Sequence, residues 1–460
     1  MTDQVRASSR AESNLTAVEL IKLYRDRELA PSEYIDQIVN WIDIVDPLVQ
    51  AVETPLFEIA RSAATQSDRA WRQGQARSLE GVPLGVKSVI AVAGAPRTGG
   101  SLAFAHSFQV RDSYIVRQLR SDGMIPVATL HSYELGLSND HASFGVTRNP
   151  HDLTRHPGGS SSGPAVAVAS GEVPVAIGTD TAGSVRLPAA WCNVTGFKPT
   201  NGHVQLTGIL PLAPTFDCVG YIARSAQDVA LVSRLASPRP GGETLRLGVA
   251  LKWADGYDHR VQDALARSSD VFQELGYDVR EVDLGGDERL DDALWGLVLR
   301  EAANAYDEDI ARKSSPLVAS QLQRGRETTT AAMQEYASIT HAYSRRLACC
   351  LEGVELLLVP GAPCLPPRLD DGLAELRSAR RPWHEIALNS MAFANAAGLP
   401  AIAIPAGLPR PLPVGVQIVG RRGEDARVLG AAIRFQSLTE FHQALPTRAE
   451  LLSRPRCAIP

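Results

Sequence analysis

Three stretches of this chain hold side chains whose type and spacing could do chemistry. The first is Lys87, set in the run Gly81-Val82-Pro83-Leu84-Gly85-Val86-Lys87-Ser88-Val89-Ile90-Ala91-Val92-Ala93. A lysine taken out of water holds its charge at a cost, so burial lowers its pKa and makes it usable as a base. The plain alternative is a stem lying along apolar surface with its head in water. The second stretch is Pro157-Gly158-Gly159-Ser160-Ser161-Ser162-Gly163-Pro164. Glycines permit tight backbone and serines supply hydroxyls. A flexible turn is the usual meaning of such a loop, but a wholly apolar segment follows it, so it should be buried, and buried hydroxyls need partners. The third is Thr181-Ala182-Gly183-Ser184. Small consecutive residues let several backbone N–H groups converge on one point, as an oxyanion hole requires, and Ser184 at the end could be a nucleophile. A phosphate-binding nest would use the same geometry, although no P-loop lysine follows.

Gly159-Ser160-Ser161-Ser162-Gly163 also fits G-x-S-x-G, the nucleophile elbow, which would make Ser161 the nucleophile and a histidine such as His384 or His442 its base. That motif needs a strand directly before it. Residues 147–156 are instead polar and broken by Pro150.

The elements that must position these residues can be read from apolar periodicity. Thr16 with Glu19 three residues on forms a capping box ahead of a helix. Helical spacing continues through Tyr34, Ile35, Ile38, Trp41 and Ile42, and a third helix is predicted near 56–74, ending at Gly74. The run from Gly81 predicts a buried strand. Asp112 is a candidate cap for a helix through Leu119, and 125–128 a short strand. Residues 165–170 are apolar on every face, which predicts a buried helix. Residues 173–178, 246–251 and 354–359 predict further strands, and 399–406 with 414–419 a final pair. Strands and helices alternate, so the fold class is α/β.

Composition sets bounds on the function. The 460 residues suffice for a large core, and no Gly/Ser- or Pro-rich linker divides them. Apolar residues make up 44% and charged residues 21%, which excludes general disorder. A net charge of −5 gives no electrostatic case for nucleic acid or an anionic membrane. Of the 46 basic residues only five are lysine, so a lysine among apolar residues stands out. The six cysteines show no C-x-x-C and no zinc-finger spacing with histidine. The polar start and the lack of a long apolar run predict no signal peptide, no membrane span and a cytoplasmic location with reduced thiols. No metal or cofactor is expected, so activity should survive exhaustive chelation. Loss of turnover on chelation, restored by zinc, would overturn that expectation.

The motifs together resemble the amidase signature family, whose members are serine amidohydrolases with a Ser-cisSer-Lys triad. The resemblance rests on Gly81 to Lys87, on Pro157 to Gly163, and on Gly178-Thr179-Asp180-Thr181-Ala182-Gly183-Ser184-Val185-Arg186 with Pro188-Ala189-Ala190. Gly196-Phe197-Lys198-Pro199-Thr200 follows in place, and Asn395 to Gly407 with Leu412 to Gln417 resembles the family's C-terminal end. It covers roughly residues 14–445.

The resemblance implies one large α/β domain, a mixed sheet covered by helices. The expected layout is a polar tail over 1–13 and an amidase domain over 14–460. Within it, helices occupy 14–75, the catalytic core 81–220, and a mostly helical substrate-covering region about 255–350. Position by position it implies Ser184 as nucleophile, Ser160 as a bridging serine after a cis peptide bond, and Lys87 as base. The backbone amides of Thr181, Ala182, Gly183 and Ser184 become the oxyanion hole. Asp180 and Arg186 become a supporting pair, and Ser161 a secondary serine.

Two positions depart from the family pattern. Ser88 stands where Asp commonly follows the lysine, leaving the lysine's surroundings to be found, and Ala182 replaces a frequent glycine. The implied activity is hydrolysis of a small-molecule carboxamide to a carboxylate and ammonia or an amine, with no nucleic-acid or membrane partner; a homodimer is compatible with it. Two alternatives use the same acyl-enzyme. One is an amide-forming acyl transferase, and the other is the amidase subunit of a glutamine-dependent amidotransferase. Pro211-Leu212-Ala213-Pro214-Thr215-Phe216-Asp217 resembles free-standing amidases more closely.

Overall fold

A computed structural model describes the chain except residues 1–14, 138–139, 236–244, 286–288, 377–378, 387–389, 408–411 and 455–460. The polar tail expected over 1–13 lies outside the described residues. The centre is one mixed sheet of eleven strands in the order β1-β3-β2-β4-β6-β5-β12-β13-β9-β7-β8. Along the chain these are β1 (Val52–Pro55), β2 (Pro83–Lys87), β3 (Ile125–Leu130), β4 (Val175–Asp180), β5 (Thr195–Lys198), β6 (Cys218–Ala223), β7 (Arg246–Val249), β8 (Asp278–Glu281), β9 (Leu356–Pro360), β12 (Ala401–Pro405) and β13 (Gly415–Gly420). A separate hairpin pairs β10 (Leu373–Leu376) with β11 (Ala379–Pro382).

Strands β2, β3, β9, β12 and β13 are buried at every residue, as expected where helices cover both faces of a sheet. Three N-terminal helices, α1 (Ala17–Arg25), α2 (Pro31–Val49) and α3 (Phe57–Arg72), cover one end of the sheet. The Thr16–Glu19 capping box is formed. The apolar segment after the serine loop is α5 (Ser162–Ala169), buried on all sides.

Some expectations shift. The helix before Gly123, α4 (Tyr114–Ser121), is capped by Ser113, whose hydroxyl accepts from Val116 N–H. Asp112 instead accepts from Ala93 N–H at 2.8 Å, an earlier claim on the same carboxylate. The strand begun near Gly81 ends at Lys87, and the apolar residues after it run on as buried loop. Strands β1, β5, β6 and β8 were not foreseen. The first and last are too short and polar to show a period of two, and β5 and β6 lie among turn residues.

Candidate active site

The parallel strands β2 and β4 end side by side. Val86 pairs with Ile177, so Lys87, the last residue of β2, and Thr179 and Asp180, the last two of β4, lie at adjacent strand ends. The carboxyl ends of parallel strands are where open α/β sheets place their ligands. Lys87 is fully buried. Its Nζ lies 2.7 Å from Ser160 Oγ and 2.9 Å from Thr179 Oγ1. Burial pulls its pKa down to about 7, with Asp180 and Asp217 opposing at longer range.

A second lysine, Lys198, is also fully buried, and the contrast is informative. Its Nζ donates to the carbonyls of Pro199 and Leu399, both at 2.9 Å, and to Asn201 Oδ1 at 2.7 Å. Carbonyl oxygens only accept, so Lys198 must keep its protons to satisfy them. The two partners of Lys87 are hydroxyls, which can donate as well as accept. Its surroundings therefore tolerate a neutral amine, and those of Lys198 do not.

The serine loop comes up beside Lys87. The Gly159–Ser160 peptide is cis, and Tyr133 N–H donates to Ser160 O at 3.1 Å. A side chain at Gly159 would collide with the Tyr133 ring, so glycine is required there. Ser161 is fully enclosed, and its hydroxyl donates to Thr179 O at 3.2 Å. The residues before it form loop and turn, not a strand. The elbow alternative is corrected on both counts, since the strand it needs is missing among residues 146–161 and the Ser161 hydroxyl faces a backbone carbonyl.

Ser184 is only partly buried, unlike Ser160 and Ser161. Its carbonyl accepts from Ser161 N–H at 3.1 Å, which ties the two loops together. Within 181–184 the amides divide. Gly183 N–H donates to Asp180 Oδ1 at 2.8 Å, whereas the amides of Thr181, Ala182 and Ser184 donate to nothing among the described residues. Of the four amides expected to form the oxyanion hole, that of Gly183 is already engaged by the Asp180 carboxylate. Gly183 has φ +109°, and a Cβ there would run into Met391.

Asp180 and Arg186 form a completely buried pair. Arg186 Nε reaches Asp180 Oδ2 and Nη2 reaches Oδ1, both at 3.0 Å. The guanidinium continues to Met391 O at 3.1 Å, Gln417 Oε1 at 2.8 Å and Asn395 Oδ1. Burial alone would raise the Asp180 pKa, but Arg186 outweighs it and holds the carboxyl well below the ordinary range. A folded-state pKa below the unfolded one means the contribution is present above about pH 4 and lost as the pH falls further. Arg186→Met leaves a carboxylate buried without its countercharge, so a loss of about 3–5 kcal/mol is expected in urea unfolding at pH 7. A loss under about 1 kcal/mol would mean the pair behaves like an exposed one.

Several site residues were not picked out from the sequence. Thr179 bonds Lys87. Asp217 accepts from Thr181 Oγ1 at 2.6 Å and from the amides of Leu212 and Ala213, at 2.9 and 3.1 Å. Pairing of Asp180 with Cys218 in β4–β6 brings Asp217 there. Asn395 and Gln417 lie about two hundred residues away in sequence, and the C-terminal resemblance was the one signal that pointed to them. Ala182 packs with Leu137, Leu212, Phe216 and the helix Arg289–Ala305, so part of the helical region does approach the site.

Known proteins resemble this chain along most of its length. The amidase family model matches residues 33–240 and 240–429. The chain is 30% identical to the A subunit of glutamyl-tRNA(Gln) amidotransferase from Symbiobacterium thermophilum (strain DSM 24528 / JCM 14929 / IAM 14863 / T), over 95% of this chain and 99% of that protein. It is 29% identical to the corresponding protein of Roseiflexus sp. (strain RS-1), over 91% and 95%. A crystal structure of an amidase superposes with a TM-score of 0.85 at 30% identity, covering 92% of this chain and all of that one. A bacterial aryl acylamidase superposes with a TM-score of 0.85 at 25% identity, over 96% and 99%. With the signature residues gathered at the carboxyl ends of β2 and β4 and the family model spanning most of the sequence, the chain belongs to the amidase family and is an enzyme that cleaves amide bonds.

Proposed function

We propose that this enzyme is an amidohydrolase working through an acyl-enzyme on Ser184. Neutral Lys87 takes the Ser160 proton while Ser160 takes that of Ser184, and Ser184 Oγ bonds to the carbonyl carbon of the amide. The amides of Thr181, Ala182 and Ser184 bind the oxyanion. The relay then runs backward, the proton reaches the leaving nitrogen, and the C–N bond breaks. Water attacks the resulting ester through the same relay, giving a carboxylate and freeing Ser184.

The observation that carries this reading is the contact of Lys87 Nζ with Ser160 Oγ at 2.7 Å, made by a buried amine whose partners among the described residues are hydroxyls. The test is a fluorophosphonate adduct mapped by mass spectrometry, expected on Ser184, together with ammonia release from a panel of small carboxamides. An adduct on any other serine overturns the assignment.

The near full-length match to the glutamyl-tRNA(Gln) amidotransferase proteins supports a second reading, that of an amidase component supplying ammonia from glutamine. The isolated chain would then release ammonia from glutamine alone and leave simple amides intact. An acyl transferase would give an amide product when an amine is added. We further propose a cytoplasmic location, which the five free cysteines among the described residues support.

A further inference from the structure

Behind the catalytic lysine lies a carboxyl that the reaction does not use. Val52 of β1, Leu130 of β3 and Lys87 of β2 are in register across three strands. The β1–β3 register then slips between Val52 and Thr54, which makes Glu53 the extra residue of a bulge. Bulges beside active sites re-aim a side chain. The Glu53 carboxyl turns to the two segments that follow Lys87. Thr98 Oγ1 donates to Glu53 Oε1, and Ser88 Oγ lies against the same carboxyl without reaching full hydrogen-bond geometry. Glu53 Oε2 and Ser88 Oγ are both buried, and neither has another partner among the described residues. Glu53 is partly exposed as a residue, but its carboxyl end is enclosed.

The anchored segments lead to the site. Ser88 N–H donates to Leu130 O at 2.9 Å, and Ser88 O accepts from Gly99 N–H at 3.1 Å. Thr98 Oγ1 accepts from Gly100 N–H at 3.1 Å. Gly99 O accepts from Leu135 N–H at 2.8 Å, one residue before Gly136, which borders Ser160 Oγ. We propose that Glu53 is a positioning residue for amide cleavage, holding the turn after Lys87 through Ser88 and Thr98, and that Glu53 and Ser88 together do from two segments what an acidic residue at 88 would do from one.

The groups facing Glu53 are Thr98, Ser88 and, at longer range, Asp140, whose own carboxyl burial pushes up to about 6. Burial raises Glu53 to about 7. A second carboxyl brought in at 88 would therefore share a proton with the first, and removing the first should relieve it.

The role rests on Lys87 being the base, so the test separates the two. Full-length wild type, E53A, E53Q, S88D, E53A/S88D and E53Q/S88D are compared by the rate of fluorophosphonate labelling at Ser184, corrected to the folded fraction from thermal melts. E53A and S88D are each expected to label roughly 10-fold slower, as for a slight misplacement of the base. Both double variants should return to within about threefold of wild type, a non-additivity reserved for residues in contact. E53Q keeps an acceptor for Thr98 and should stay within about threefold as well; it also carries the test if E53A does not fold. In S88D the acid limb of the pH–rate profile should move to higher pH, because a carboxylate added beside Lys87 favours its charged form. Double variants as slow as the product of the singles, or E53A labelling at the wild-type rate, overturn the role. Recovery confined to the melting temperature also overturns it, since a purely structural anchor would do the same. If wild type labels elsewhere than Ser184, the reaction reading falls and this role falls with it.

Discussion

Ser184→Ala is expected to lower amide turnover by at least about 10⁴-fold, the scale seen when a serine nucleophile is removed from an intact site. The residual rate would come from binding and the oxyanion amides, which the substitution leaves in place. The fold should be unaffected. Ser184 is partly exposed, and the contact it makes to the serine loop uses its backbone carbonyl, which alanine retains. Turnover of a small carboxamide, measured beside urea unfolding, checks both halves. Ser161→Ala is the control. Its hydroxyl is enclosed and bonded to Thr179 O, so its loss should affect stability more than chemistry. A Ser184→Ala enzyme that still forms an acyl adduct would move the nucleophile elsewhere.

Lys87 carries the second large effect. Lys87→Met should lower kcat about 10²- to 10⁴-fold, the usual span for a general base. Lys87→Arg should do no better, because a guanidinium stays charged and cannot accept the Ser160 proton. The pH dependence follows from the sign of the shift. An ordinary lysine is charged until about pH 10.4, but burial brings Lys87 to about 7, so its neutral fraction grows as the pH rises through neutrality. Wild-type kcat/KM should rise through pH 7 and level off above it. An active Lys87→Arg enzyme with its acid limb unmoved would make Lys87 a structural cation. Lys198 instead has an acceptor for each of its three protons, two carbonyls and an amide oxygen, although burial lowers its pKa as well.

The sequence alone was sufficient for whatever depends on neighbours in the chain. The Thr16 capping box, the all-apolar helix after Gly163 and the buried strands at 175–180, 401–405 and 415–420 follow from local composition and periodicity. So do the two small-residue loops and the oddity of a lysine in an apolar run. Local reading failed where two local partners compete. Asp112 and Ser113 were both able to cap a helix, and the choice fell to Ser113 because Ala93, nineteen residues earlier, had claimed Asp112. It failed for β1 because four residues, with two polar ones side by side, show no period, and the bulge that aims Glu53 exists only once β3 is alongside.

What the tertiary structure alone decided is which of the candidate groups meet, and in what state. Lys87 taken alone read more readily as a snorkelling lysine than as a base until the β2–β4 register brought Thr179 beside it and the serine loop closed over it. Four amides of the 181–184 loop looked equivalent until Asp180 took that of Gly183, and Asp180 itself stays charged because Arg186 and Asn395 bond it from two distant segments. Periodicity and spacing specify elements because those depend on residues a few places apart. Protonation states and hydrogen-bond partners depend on charges and dipoles within a few ångströms in space, and those are contributed by residues tens to hundreds of positions away.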